Sequence, residues 1–266
     1  MNNTRRIINF ETCDSTNDRL KELMKGGAVD GTVVTADVQT NGRGRVSRRW
    51  RTDSRDSIAM SVGFRAENLY SRGITEKGLP CITLLAAISV TDAIYHVLRM
   101  ARDDTPVHIK WPNDIVINGR KVCGILTENI LTDDHHFIIV GIGINVRHMD
   151  FPPDIADIAG NIEDEAGVMI DRDALIVSVA EELDRYIDLF AKTSDMSELK
   201  RHYNERLINM DRIVRVESQD EDFTGVSMGI DDTGALMVKR KSDSGESFVT
   251  KVSFGEVSVR GVYGYV

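Results

Sequence analysis

Four short stretches of this 266-residue chain carry residue types that could do chemistry. TNGRGRVSRRWR (residues 40–51) sets five arginines among twelve positions, with Gly42 and Gly44 flanking Arg43. KWPND (110–114) gathers a lysine, a carboxamide and a carboxylate around a proline, GRKVCG (119–124) holds Lys121 between glycines, and VGIGIN (140–145) alternates glycine with branched apolar residues. Guanidinium groups grip carboxylate or phosphate oxygens in pairs and keep their charge. Glycine lets backbone close around a ligand. The chemistry on offer is capture of a small, highly charged anion, although on composition alone a solvated basic loop without a role is the simpler reading.

That positive charge is local. The chain carries a formal net charge of −9, and the 40–51 stretch contributes +5 with no acid, which leaves −14 for the rest. A nucleic-acid protein spreads a basic balance over a domain or face, because affinity grows with the number of phosphates neutralised. An RNA-binding module built on residues 43–51 is therefore disfavoured. With 41% hydrophobic and 28% charged residues, the chain has the composition of a globular protein with one sizeable core and room for a small second domain. The opening residues lack the apolar stretch of a signal peptide despite Arg5-Arg6. No apolar run is expected to approach the roughly 18 residues of a membrane span. Cys13, Cys81 and Cys123 are odd in number and far apart, which predicts neither a disulfide framework nor a zinc site and fits a reducing cytoplasm. His135-His136, beside Asp133-Asp134, reads as solvated.

The elements that must position these stretches are of both kinds. Residues 14–27 begin with capping residues, place Leu20, Leu23 and Met24 on one stripe and end in two glycines, which predicts a short helix. Residues 31–40 and 57–64 read as strands, so the arginine stretch is a loop following a strand. Residues 80–100 form a long apolar helix suited to filling a core against a sheet. Two β-rich runs meet at Asn118-Gly119, a strong hairpin signal, and Pro112 with Asn113 and Asp114 predicts a bend before the first of them. In the strand 137–146, Gly141 and Gly143 share one face. Either a ligand lies flat there or a helix packs closely. Ile176, Val179, Leu183, Ile187 and Phe190 mark an amphipathic helix over 171–190, and Leu199, Tyr203 and Leu207 mark a shorter one. From about residue 210 the pattern changes to short β-type runs, which divides the chain into a mixed domain, 1–209, and a β-barrel domain, 210–266, that should lean on the first.

Together and in order, these stretches resemble the landmarks of the biotin-protein ligase family. GRGRVSRRW is similar to that family's biotin-binding loop, KWPND to its central signature, GRKVCGILTE to the segment with its reactive lysine and VGIGINV to its glycine strand. CDSTN (13–17) resembles the first ligand segment, and SMGIDDTGALMV with GEVSVR the C-terminal barrel. The resemblance implies an α+β fold: a mixed sheet packed by helices on one face, like class II aminoacyl-tRNA synthetases, followed by an SH3-like barrel. It implies an enzyme that uses ATP to join biotin to a lysine of a biotin carboxyl carrier protein domain through biotinyl-5′-AMP. Oligomeric state stays open between monomer and homodimer, and no membrane or nucleic acid beyond the nucleotide is implied. Because the ligand segment begins by residue 14, no N-terminal DNA-binding helix-turn-helix is expected.

The first step of that reaction joins two anions. At about 3 Å and an effective dielectric near 20, two unit charges repel by roughly 5 kcal/mol. Uncompensated, this costs about three to four powers of ten in rate, and fixed cations remove it. The resemblance assigns Arg43 and Arg45 to the biotin carboxylate and adenylate phosphate, and Lys121 to the space between them. It assigns Ser15, Thr16, Gln39, Gly42, Gly124, Gly141 and Gly143 to biotin, and Arg48, Trp50, Asn113 and Asn145 to ATP or the adenylate. Ser15 and Thr16 read equally as helix caps, Trp50 as a core residue and Lys121 as a surface lysine. Asp114 is the candidate for orienting or deprotonating the acceptor lysine, or for holding a magnesium ion that enters with ATP. The family loop commonly reads GRGRRGRxW, where this chain has Val46 and Ser47. Less charge and a stiffer backbone should let the adenylate leave faster. A lipoyl or octanoyl ligase or transferase with Cys123 as nucleophile, and a non-enzymatic biotin sensor, are the alternatives.

Overall fold

A computed structural model describes residues 6–45, 49–218, 221–242, 244–255, 258–261 and 265–266. Seven strands make the first sheet: β1 (Ile7–Cys13), β2 (Val33–Gln39), β3 (Ser57–Arg65), β4 (Val107–Lys110), β5 (Asp114–Ile117), β6 (Arg120–Leu131) and β7 (His136–Asn145). Their order is β1-β2-β3-β7-β6-β5-β4, with β1 and β2 parallel and every other pair antiparallel. Two hairpins concentrate the KWPND motif. Trp111–Asn113 turns β4 into β5, and Asn118 and Gly119, at φ +49° and +81°, turn β5 into β6. Two successive positive φ values are what a type I′ turn requires.

Helices cover both faces of this sheet, which corrects the one-sided expectation. On one face lie α3 (Ile82–Met100), led by a 3-10 turn over Glu76–Cys81, and α5 (Arg172–Phe190), capped by the Asp171 carboxylate accepting from Asp173 N and Ala174 N. They bury Leu85, Ile88, Leu183 and Ile187 against Ile58, Met60, Ile138 and Ile142. The opposite face receives α1 (Thr16–Lys25), whose Leu20 and Met24 pack on Val34, Phe137 and Ile139. Neighbours such as Val33 and Val34 thus go to different cores, as alternation along a strand dictates. Short helices α2 (Ala66–Arg72), α4 (Ile162–Ala166) and α6 (Lys200–Arg206) complete the helical set. The stretch Glu76–Met100 is long and apolar enough to cross a bilayer, contrary to the sequence reading, but 78% of its apolar window is buried within this fold.

The second sheet is antiparallel, ordered β11-β10-β9-β8-β12, from β8 (Ile213–Glu217), β9 (Phe223–Ile230), β10 (Leu236–Lys241), β11 (Ser247–Val252) and β12 (Ser258–Gly261). It does lean on the first. Val214, Leu236, Val238 and Val259 belong to the same continuous core as α3 and β4. Trp111 fastens the joint: it is 2% exposed, its indole N–H donates to Gly234 O at 3.1 Å, and it stacks on Phe254 with ring centres 5.9 Å apart.

Candidate active site

A cleft of about 1190 Å³ opens on the α1 side of the first sheet and runs under the edge of the second. Every proposed site residue except Arg48 lines it. Arg48, with Val46 and Ser47, lies outside the described residues.

Sequence neighbours arrive from distant elements. The Thr16 backbone N–H donates to Gln39 Oε1 at 2.9 Å, and the Thr16 hydroxyl sits 3.2 Å from the same oxygen. Ser61 Oγ donates to Asn17 Oδ1 at 2.6 Å, and Asn17 Nδ2 donates to Glu128 Oε2 at 2.6 Å. This ties the start of α1 to β2, β3 and β6, a polar wall set into the apolar side of the sheet. Ser15 is 3% exposed and makes no side-chain cap bond, so the capping reading fails for it.

The two glycines of β7 prove to have different reasons. A Cβ on Gly141 would lie 2.4 Å from Asn17 Oδ1, so Gly141 admits α1; one on Gly143 would lie 2.2 Å from Trp50 Cε2. Close helix approach explains Gly141, and at Gly143 the space is taken by the chain's own Trp50. Trp50 is half-buried over Gly143 and Gly124, and its indole N–H finds no acceptor among the described residues. An unpaired buried donor costs about 1–3 kcal/mol. Asn17 is held from two sides and cannot give way to a methyl group. Gly141→Ala is accordingly expected to lower stability by about 1–3 kcal/mol through overpacking and to weaken biotin binding together with it, which thermal denaturation and titration calorimetry with biotin would read.

The cations divide into two groups. Arg43 donates to both Asp18 oxygens, at 2.5 and 2.9 Å, and to Glu128 Oε1 at 3.4 Å. Among the described residues, Arg43, which the resemblance assigns to the carboxylate and phosphate, is thus paired with two acids. The other bases of the cleft sit at its far end. Arg45 donates to Asn113 Oδ1 at 2.8 Å, Lys121 Nζ is 2.6 Å from Asp114 Oδ1, and Lys110, 6% exposed, places its ammonium 4.2 Å from the Tyr265 ring centre. Among the described residues, Lys121 and Lys110 flank Asp114, with Arg45 on its neighbour Asn113.

Lys121 reaches this end through a register shift. Ile115 pairs with Cys123 but Val116 pairs with Lys121, so β6 bulges there. A bulge re-aims the side chains around it, and here Lys121 Nζ comes within 3.1 Å of where a Gly124 Cβ would stand. Lys121 and Gly124, three apart, could not share a face in a regular strand. The backbone is fixed from the other side by Lys121 N donating to Ile158 O at 2.7 Å and Gly160 N donating to Lys121 O at 2.9 Å. Asn145 belongs to the same frame, donating to Gly160 O at 3.0 Å.

Asp114 differs most from expectation. Burial pushes its carboxyl up, but Lys121 and then Lys110 outweigh it and, with the Tyr265 hydroxyl donating to Oδ2 at 2.5 Å, hold it below the usual carboxylate range. Such a group is a weak base, and with both oxygens engaged beside two ammonium groups it does not fit as a magnesium ligand. It is paired with Lys121. Lys110 and Tyr265 were missed as site residues by sequence reasoning; Lys110 was visible in the motif, whereas Tyr265 joins Asp114 across 151 positions. Cys123 is fully buried and burial pushes its thiol far up, which removes it as a nucleophile. His135 and His136 are half-buried and partnered, His135 stacking on Phe137 and His136 Nε2 lying 2.7 Å from Asn129 Oδ1.

With the geometry in place, comparison with known proteins decides the family. The profile of the biotin/lipoate A/B protein ligase family matches residues 9–145, and that of the biotin protein ligase C-terminal domain matches residues 210–260. The chain belongs to the biotin-protein ligase family. It is 33% identical over 253 residues to the bifunctional ligase/repressor BirA of Bacillus subtilis, covering 94% of this chain and 74% of that one. It is 30% identical to the biotin-[acetyl-CoA-carboxylase] ligase of Mycobacterium tuberculosis, covering 84% and 79%. Among solved structures, the biotin protein ligase of Aquifex aeolicus in complex with biotin and ATP superposes with a TM-score of 0.79 at 27% identity, covering 96% of this chain and 99% of that one. The α+β fold with an SH3-like C-terminal unit is therefore that of this family.

Proposed function

We propose that the cleft carries out ATP-dependent protein biotinylation, and family membership supports the reading directly. The single observation that carries the chemistry is the cationic end of the cleft, where Lys121 and Lys110 flank Asp114 and Arg45 is held by the adjacent Asn113. Biotin's carboxylate and the α-phosphate of ATP would meet there, the carboxylate oxygen forming the new bond to phosphorus as pyrophosphate leaves. The fixed ammonium and guanidinium groups offset the repulsion of the two anions and stabilise charge growing on the phosphoryl oxygens. Ser15, Thr16 and Gln39 would receive the polar ureido head, which burial demands be hydrogen-bonded. Trp50, with its unpaired indole N–H, would move off the glycine floor to flank the adenylate. A lysine amine of a biotin carboxyl carrier protein domain would then attack the activated carbonyl and release AMP. With a reference pKa near 10.4, only about one such amine in two thousand is neutral at pH 7, and Asp114, paired with Lys121 and held below the usual carboxylate range, is a weak base for it.

Magnesium would enter with the triphosphate rather than through a seat on Asp114. Buried free thiols at Cys13, Cys81 and Cys123 and the use of ATP support a cytoplasmic setting. Biotin-dependent exchange of labelled pyrophosphate into ATP tests the reading: exchange with biotin and none with lipoate is expected, while exchange with lipoate alone would overturn it.

A further inference from the structure

The second sheet ends in a contact that the reaction above does not explain. Beyond β12, Tyr265 returns to the first sheet, where its hydroxyl donates to Asp114 Oδ2 at 2.5 Å and its ring lies beneath the Lys110 ammonium, 4.2 Å from centre to Nζ. The same carboxylate binds Lys121 Nζ through its other oxygen, at 2.6 Å. Val266 secures the return: a Cβ on Gly261 would lie 2.2 Å from Val266 O, so only glycine allows the two backbones to approach. A second strand connection from the same unit reaches the site independently, with Gly255 O accepting from Arg45 Nη2 at 2.5 Å.

We infer that Tyr265 is a positioning residue for the ligase reaction: by fixing one oxygen of Asp114 it turns the other toward Lys121 and sets where that ammonium stands between the two anionic reactants. The inference rests on the ligase reading. A carboxylate held at one oxygen can rotate about its last torsion; with Tyr265 donating to Oδ2 and the Lys121 ammonium in ion contact with Oδ1 at 2.6 Å, rotation is opposed at both ends. The groups that face Asp114 are Lys121 from β6, Lys110 from β4, Tyr265 from the second unit, and the buried Tyr203 of α6 and Cys123 of β6. Of these, Tyr265 is the neutral group that donates a hydrogen bond to the carboxylate, so removing its hydroxyl leaves both ammonium groups in place and isolates orientation from charge. The hydroxyl also favours the ionised carboxylate, and losing it must raise the pKa of Asp114.

The test is Tyr265→Phe, which keeps the ring under Lys110 and removes one oxygen. Expected is a fall of about tenfold in kcat for biotin-dependent pyrophosphate exchange, the size of one hydrogen bond to a charged group, with KM for biotin changed less than about twofold. The acid limb of the pH–rate profile should move to higher pH, a shift that a purely structural contact would not produce. Acetic anhydride labelling of Lys121, measured by mass spectrometry relative to the surface residue Lys200, should rise several-fold in the variant whether or not catalysis is measured. In an Asp114→Asn background, Tyr265→Phe should have no further effect on kcat, because both act through one carboxylate. Unchanged kcat, acid limb and labelling would overturn the inference, as would a full tenfold loss in the Asp114→Asn background. Altered labelling in a protein whose wild type shows no biotin-dependent exchange would instead overturn the ligase reading and leave Tyr265 a structural clasp.

Discussion

Replacing Lys121 with alanine is expected to lower the rate of biotin-dependent pyrophosphate exchange by about two to three powers of ten, the usual consequence of deleting one preorganised charge-stabilising group. The expectation follows from where the amine is held. Its Nζ is 2.6 Å from Asp114 Oδ1 and 5.9 Å from the Trp50 ring centre, which puts it above the glycine floor where the reactants would lie. The β6 bulge and the backbone bonds to Ile158 and Gly160 fix its base. The substitution also strips Asp114 of its nearest counter-charge, so unfolding must be followed beside the kinetics. Lys121→Met, which keeps the apolar stem, should show the same kinetic loss with less destabilisation. A variant that folds and exchanges at the wild-type rate would show that Lys121 has no part in the chemistry.

The largest effect on stability is expected away from the cleft. Asp92, on α3 and 5% exposed, accepts from Arg206 Nε at 2.8 Å, lies 3.0 Å from His202 Nε2 and accepts from the Tyr186 hydroxyl. Burial would raise its pKa, but His202, Tyr186 and Arg206 bring it down to about 2. Against the ordinary value of 3.8, that corresponds to about 2–3 kcal/mol favouring the folded protein. Because the folded pKa is depressed, the contribution is fully present above the unfolded pKa and is lost as pH falls from about 4 through about 2. Asp92→Asn should therefore lose about 2–4 kcal/mol in urea denaturation near neutral pH, leaving Arg206 and His202 without their acid. The gap to wild type should close on acidification. An equal gap at pH 7 and pH 2.5 would contradict the assignment.

What was legible in the sequence follows from how local each signal is. The α5 stripe and Asn118-Gly119 depend on residues within a few positions of one another, and the structure has both. Strand β1 was missed because it is an edge strand with mostly exposed or half-exposed positions, so Ile7–Cys13 shows no clean alternation. Helix α2, seven residues long, is too short for periodicity to register. In the site, motif residues could be named but not their partners. Asp18 and Glu128 neutralise Arg43 from α1 and β6, and nothing in the arginine loop announces them. Lys121 and Gly124 face the same cleft only because of a bulge that alternation alone would deny. Tyr265 meets Asp114 across 151 positions, at the joint between the two sheets that Trp111 and Phe254 also bridge, and no local pattern announces it.

The central claim is that Arg45 and Lys121 stand where biotin's carboxylate and a phosphoryl group meet. A crystal structure with a non-hydrolysable biotinyl-adenylate tests it most directly. Both side chains are expected within hydrogen-bond reach of the carbonyl or phosphate oxygens, with the Trp50 indole displaced from Gly143. An adenylate seated elsewhere, with Arg45 and Lys121 turned to solvent and Trp50 still on its glycine, would contradict it.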